Sequence, residues 1–253
     1  MKIGVPKEIK PQENRIGLTP QSVKTLTSNG HVVLVEKDGG FEAGFDNDQY
    51  KSAGAKIIDK AEDIFNDSEI IVKVEEPLSN EVKMIRENQI IFTYLHLAAD
   101  PNQAKGLIDS KCHAVAYETI TDQKGGLPLL APMSEIAGRL AVFEGAYHLK
   151  KTCGGPGSLI SGVPGVKPAK VIILGGGMVG TNAAKMAIGV GADVTIFDKS
   201  IERLRYLDDI FGNSAKVLYS EPVELKKLLK DADLVVGAVL IPGASAPKLI
   251  EKE

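Results

Sequence analysis

Three glycines at fixed spacing carry the sharpest chemical signal in the chain. In KVIILGGGMVGTNAAKMAIGVGADVTIFD, Gly175, Gly177 and Gly180 form a GxGxxG directly after a continuous apolar run and directly before a helix-forming stretch. At such a turn the first glycine permits the tight bend, the second lets backbone approach a pyrophosphate, and the third lets the helix pack closely on the strand. The helix N-terminus presents unpaired N–H groups and the positive end of its dipole, so it can hold an anion without any lysine. Asp198 closes the next apolar run, where its carboxylate can accept from ribose hydroxyls and repel a 2′-phosphate. The pattern therefore predicts a dinucleotide site that favours NAD over NADP. The other reading, a glycine-rich strand-to-helix turn that binds nothing, lacks a reason for the acid at the following strand end. Lys199 and Arg203 lie just beyond Asp198 and would soften that preference unless they belong to a solvated helix face.

Two residues in the N-terminal half are placed for chemistry on a small acid. Arg15, in GVPKEIKPQENRIGLTP, sits between a strand and a helix, where its guanidinium could make a two-pronged bond to a carboxylate. His96, in IIFTYLHLAAD, ends an apolar strand, at the carboxyl edge where open α/β sheets bind ligands. A neutral imidazole there can move a proton near pH 7. His31, His113 and His148 have no such setting and read as structural. Cys112 and Cys153 stand in no CxxC or Cys/His spacing, so no metal site is expected.

These groups are carried by a regular alternation of elements. Strands are expected at Lys2 to Val5, His31 to Glu36, Ile70 to Val74, Gln89 to Thr93, Ala114 to Tyr117, Lys170 to Leu174, Asp193 to Phe197 and Asp233 to Val239, separated by amphipathic stretches. That rhythm predicts an α/β fold with mainly parallel sheets. Thr19, Pro20 and Gly30 delimit the first helix as N-cap, first helical residue and left-handed terminator. Ile136, Leu140, Phe143 and Tyr147 recur at helical spacing and predict a long connecting helix over 132–150. The breaker-rich CGGPGSLISGVPGVKP follows it. Two domains result, 1–131 and 151–253, joined by that helix. The chain's 253 residues suffice for two cores, and its formal net charge of −3 offers no basic surface for nucleic acid. No apolar run approaches the roughly 20 residues of a membrane span, and MKIGVPKEIK turns charged too early for a signal peptide. A cytoplasmic protein is expected.

Taken together, GVPKEIKPQENRIGLTP, FTYLHLAA, AYETI, LPLLAPMSEIAGRLAV, SGVPGVKP, LGGGMVGTNAAKMA, ADVTIFD and AVLIPGASAPKL resemble the alanine dehydrogenase family, which is related to the NAD-binding subunit of proton-translocating transhydrogenases. The resemblance implies two Rossmann-like domains, a substrate domain followed by an NAD-binding one. It implies reversible, NAD-dependent oxidative deamination of L-alanine to pyruvate and ammonia, in a homo-oligomer, commonly a hexamer. On this resemblance Arg15 binds the substrate carboxylate and His96 is the general acid/base. Ser134, the three glycines, Asp198, Arg203, Ser220, Val239 and Leu240 contact the cofactor. Ser134 has an equally ordinary role in starting a helix.

The sequence departs from the family in two respects. In VKVEEP, Glu75 stands where the family usually has a lysine that holds the substrate's carboxylate and carbonyl, and a carboxylate there is expected to repel the substrate. Lys73 lies two residues earlier, about 6.6 Å along a strand and on the same side, so it is expected to compensate only in part. Family members also continue past Glu253 through further strands, so the nucleotide-binding sheet is expected to be incomplete, with a bare edge or exposed apolar surface. Pro156 replaces a residue that is commonly charged. Alongside a dehydrogenase, these departures leave open a catalytically impaired NAD-binding module, and the hydride-handling subunit of a transhydrogenase.

Overall fold

The computed structural model describes residues 1–240 and 248–250, arranged in two compact units, Met1–Gly126 and the remainder from Leu127. In the first unit, β1 (Lys2–Val5), β2 (Val32–Glu36), β3 (Lys56–Ile58), β4 (Ile70–Val72), β5 (Ile90–Thr93) and β6 (His113–Ala116) form one sheet in the order β3-β2-β1-β4-β5-β6. Every neighbouring pair is parallel. Parallel neighbours require crossovers, and these are α1 (Pro20–Ser28), α2 (Asn47–Ser52), α3 (Ala61–Asp67), α4 (Ser79–Val82) and α5 (Pro101–Ser110). The central strands, covered on both faces, are apolar for most of their length. Val5, Val33 and Val35 pack on one side with Val23, while Leu34, Ile71 and Ile91 pack on the other with Ile64, Phe65 and Leu107. The strand order reverses between β1 and β4, so the chain leaves their carboxyl ends in opposite directions and opens a crevice there.

The first helix starts and stops as its sequence dictates. The Thr19 hydroxyl accepts from the Ser22 N–H, Pro20 occupies the first helical position, and Gly30 follows at φ +82°.

In the second unit α6 (Ala131–His148) precedes β7 (Lys170–Leu174), α7 (Met178–Gly189), β8 (Asp193–Asp198), α8 (Ile201–Phe211), β9 (Lys216–Tyr219), α9 (Pro222–Leu229) and β10 (Leu234–Gly237). The four strands run parallel in the order β10-β7-β8-β9. Among the described residues β10 pairs only with β7, and Val235 on it is 37% exposed. The long helix is clustered with this unit and starts at Ala131, where the sequence suggested a separate connector over 132–150. The apolar stripe that marks it in sequence is not the face it buries here. Gly138 and Val142 are buried, with Gly138 against the backbone of Val179 and Ala183, while Ile136, Leu140, Phe143 and Tyr147 are each more than half exposed. Two strands escaped the sequence reading: β3 and β9 are short, begin with lysine, and lie at sheet edges.

Candidate active site

The loop after β1 carries Lys10, Glu13 and Arg15, and its close approach to β4 is secured by a glycine. A β-carbon on Gly17 would lie 2.6 Å from the Val72 carbonyl oxygen, so only glycine lets this loop lie against the end of β4. Beneath it lies a buried ion triad. The Lys73 ammonium donates to Glu8 at 2.8 Å and pairs with Glu81 at 2.9 Å, with all three side chains at most 3% exposed. The second oxygen of Glu8 accepts from the Val74 N–H at 2.6 Å, which ties the loop after β1 to the chain leaving β4. Burial pushes the Glu8 carboxyl above its ordinary range against the pull of Lys73. For Lys73, burial works against the ammonium, but attraction to Glu81 and Glu8 outweighs it and raises the group above the usual lysine value.

This triad corrects the expectation for Lys73. The strand stops at Val72, so the two-residue period that would set Lys73 beside Glu75 no longer applies. Lys73 points into the buried triad and does not share the work of residue 75.

Glu75 is itself buried, at 8% exposure, and stands among cations. One carboxylate oxygen lies 3.0 Å from an Arg15 terminal nitrogen, and the other 2.9 Å from the Lys10 ammonium. Arg15 is also gripped by Glu13, which accepts from its backbone N–H, from Nε and from a terminal nitrogen. That guanidinium keeps the Glu13 carboxyl below its ordinary range. Lys10 bonds Glu76 as well, at 2.9 Å. Burial would raise the Glu76 carboxyl, but the bond from Lys10 helps to bring it below the usual value. Two cations thus face three carboxylates. The expectation that Glu75 simply confronts an incoming acid is refined accordingly: it already fills the grip of Arg15.

His96 joins the same cluster from the end of β5, its Nε2 3.8 Å from Glu75 Oε2. Its backbone is left-handed at φ +48°, a conformation that histidine tolerates better than branched residues but at a cost of order 1–2 kcal/mol. Glu118, in the short 3-10 turn Tyr117–Thr119 after β6, offsets that cost. Its carboxylate accepts from the N–H groups of Leu95 at 3.1 Å and His96 at 2.8 Å. The imidazole, 46% exposed, stacks on Tyr94 with ring centroids 6.2 Å apart. Burial raises the Tyr94 hydroxyl above its usual range.

Arg15, Glu75 and His96 are thus brought together by the ends of β1, β4 and β5. Lys10, Glu13, Glu76 and Glu118 were not foreseen. The first two lie within the charged tract that holds Arg15, and Glu118 lies in AYETI, but no spacing rule singles them out.

In the second unit the dinucleotide fingerprint takes its expected form. Gly175 turns at φ +102°, and a β-carbon there would meet the Ala238 carbonyl oxygen at 2.7 Å. A β-carbon on Gly180 would collide with the Gly175 carbonyl oxygen, so the third glycine is what lets α7 sit on the turn. Gly177 is the N-cap of α7 with no side-chain cap, and nothing lies within 4 Å of where its β-carbon would be. That open space before a helix N-terminus suits a phosphate, so the residues present fit a dinucleotide. Asp198 accepts from the Gly176 N–H at 2.7 Å and the Ser200 N–H at 2.8 Å, which places its carboxylate against the turn. Arg203, expected from the resemblance to contact the cofactor, folds back onto the glycine turn. Nε donates to the Gly176 carbonyl and a terminal nitrogen donates to the Thr181 hydroxyl at 2.7 Å, pinning the glycine turn.

Ser220 follows β9, its N–H bonded to the Asp198 carbonyl at 2.9 Å, and helps line a cavity of about 580 Å³ with Lys199, Leu225, Lys226 and Leu229. Val239 and Leu240 follow β10, with Val239 close against Gly175 and Leu240 59% exposed. Ser134 lies in the first turn of α6, one turn before Gly138. The tail of AVLIPGASAPKL from Ile241 to Pro247 lies outside the described residues.

Two family models together cover nearly the whole chain: "Alanine dehydrogenase/PNT, N-terminal domain" over residues 4–137, and the corresponding C-terminal domain over 141–253. The chain belongs to the alanine dehydrogenase/PNT family. Within this family it is 52% identical to the alanine dehydrogenase of Methanococcus maripaludis over all 253 residues, which are 68% of that protein. It is 54% identical to the Bacillus subtilis alanine dehydrogenase, of which it spans 66%. A solved L-alanine dehydrogenase superposes with a TM-score of 0.90 at 51% identity, over 99% of this chain and 69% of that one. A transhydrogenase from Sinorhizobium meliloti shares the fold, with a TM-score of 0.80 at 24% identity over 98% of this chain and 72% of that one. The chain thus spans about two thirds of its relatives' length. No helix among the described residues is long and apolar enough to cross a membrane.

Proposed function

We propose that this chain performs the chemistry of an NAD-dependent L-alanine dehydrogenase, interconverting L-alanine with pyruvate and ammonia. The observation that carries the reading is the convergence of Arg15 and His96 at the switch point of one parallel sheet, in a chain about half identical to alanine dehydrogenases along its whole length. NAD, when bound, supplies the hydride acceptor. Gly175, Gly177 and Gly180 would hold its pyrophosphate and Asp198 its adenosine ribose, with Ser134, Ser220, Val239 and Leu240 around them and Arg203 bracing the turn. The Asp198 carboxylate favours NAD over NADP because a 2′-phosphate would be brought against a negative charge.

On the substrate side Arg15 binds the carboxylate against the repulsion of Glu75, which already holds one of its terminal nitrogens. His96, through Nε2, takes a proton from the water that adds to the imine and returns it to the departing ammonia. Glu118 and Tyr94 hold the imidazole in place from the backbone and the ring face. The reading is tested by NADH formation from L-alanine and NAD, and by NADH oxidation with pyruvate and ammonium. Absence of both with folded protein that still binds NADH would favour the second reading, a nucleotide-binding module without turnover, which the occupied grip of Arg15 supports. The chain is taken to work in the cytoplasm as a homo-oligomer, with the exposed apolar stripe of α6 as support for self-association.

A further inference from the structure

We propose that Glu75, Glu76 and His96 form a binding site for one divalent transition-metal ion of the zinc or cobalt type. The three residues offer two carboxylate oxygens and one imidazole nitrogen, all within 4.8 Å of one another. His96 Nε2 and Glu75 Oε2 are 3.8 Å apart, too far for a hydrogen bond. That gap is close to the roughly 3.4 Å that separates two ligands of a tetrahedral ion with bonds of about 2.1 Å. One nitrogen and two oxygens suit zinc, cobalt or manganese, whereas magnesium and calcium prefer oxygen alone.

A cation already stands where the carboxylates converge. The Lys10 ammonium is 2.9 Å from an oxygen of Glu75 and 2.9 Å from one of Glu76. Its side chain is 38% exposed and flexible, so the ammonium can swing out to solvent and yield its place to a doubly charged ion. Imidazole nitrogen, unlike the carboxylates, gains nothing from the lysine and could bind an ion directly. The ligands are also held from behind. The Glu75 carbonyl accepts from the Thr93 hydroxyl at 2.8 Å, and Glu118 fixes the His96 backbone. Both lie on the chain leaving the paired strands β4 and β5.

Three protein ligands leave a further position open for a carboxylate or carbonyl oxygen. An ion there would bring two positive charges to a cluster in which carboxylates outnumber cations, and would occupy His96 Nε2, the nitrogen that the proposed reaction uses for proton transfer, so bound metal is expected to suppress turnover. The binding step itself involves neither cofactor nor turnover, so it stands or falls apart from the dehydrogenase reading.

The test is titration of the metal-free chain with Co²⁺, followed by its visible absorption and by calorimetry, and then displacement with Zn²⁺. One ion per chain is expected, with Glu75→Gln, Glu76→Gln and His96→Asn each weakening binding about tenfold or more. Lys10→Met is expected to tighten it, since the competing ammonium is gone. Circular dichroism establishes that each variant is folded. No saturable binding to the parent chain, or binding that all three ligand variants leave unchanged, overturns the site.

Discussion

Replacing Glu75 by glutamine removes one charge from the cluster and little volume, so it isolates electrostatics from packing. The Arg15 guanidinium lies 3.0 Å from Glu75, and a substrate carboxylate seated on the same guanidinium would lie about 5 Å from the Glu75 carboxylate. Two like charges at that separation repel by about 3 kcal/mol at an effective dielectric near 20. The Arg15 side chain is 49% exposed and that of Lys10 38%, so solvent screening reduces this to about half, or ~1.5 kcal/mol. That corresponds to about a tenfold change in affinity. Glu75→Gln should therefore bind pyruvate about tenfold more tightly than the parent, and Glu75→Lys about a hundredfold, since the lysine adds an attraction of similar size. The assay is calorimetric titration with pyruvate in the presence of NADH and a chelator, with the KM for pyruvate in NADH oxidation as its kinetic counterpart. An unchanged or weaker affinity in both variants, with native circular dichroism, would refute the placement of the substrate carboxylate beside residue 75.

Other perturbations address the remaining parts. Lys73→Met leaves Glu8 and Glu81 buried together without their cation and should cost about 3–5 kcal/mol in urea unfolding at neutral pH; a loss below about 1 kcal/mol would show that the triad is not carrying charge. Glu8 has its folded value raised by burial, so the native state holds its proton to higher pH than the unfolded chain does. Its contribution is present below the ordinary value of 4.5 and is lost as pH rises through the raised one, so Glu8→Gln should flatten that decline in a stability–pH profile. Asp198→Ala should weaken NADH far more than NADPH in a fluorescence titration, and equal losses would remove the ribose role. His96→Asn keeps a residue tolerant of left-handed backbone and should lower turnover by about a hundredfold or more while leaving NADH affinity unchanged. A collapse of NADH binding in that variant would make His96 structural.

The sequence disclosed whatever is local and repetitive. The glycine fingerprint depends on a turn and the helix after it, and Gly175, Gly177, Gly180 and Asp198 all stand where that pattern placed them. The strands with runs of branched residues were legible too, because a strand buried on both faces has to be apolar along its length. The short edge strands β3 and β9 lack such a run. In the site, Arg15 and His96 were legible from residue type and position, but their partners were not. Glu118 is 22 residues from His96 in sequence, and Glu8 lies 65 residues from Lys73. Such pairings exist only once β1, β4, β5 and β6 lie side by side. The same holds for Arg203, whose turn back onto Gly176 depends on tertiary packing across 27 residues. Lys73 was misplaced because the strand ends one residue before it.

The two charged layers at the carboxyl ends of β1 and β4 differ in their access to dissolved ions. The outer layer of Lys10 and Arg15 with their carboxylates is open to water, so rising ionic strength shortens the reach of its field and loosens its grip on an anion. The inner layer of Glu8, Lys73 and Glu81 has no exit to solvent and is insulated from added salt. Concentrated electrolyte should therefore blunt recognition at the mouth of the crevice while the scaffold that shapes it keeps its form.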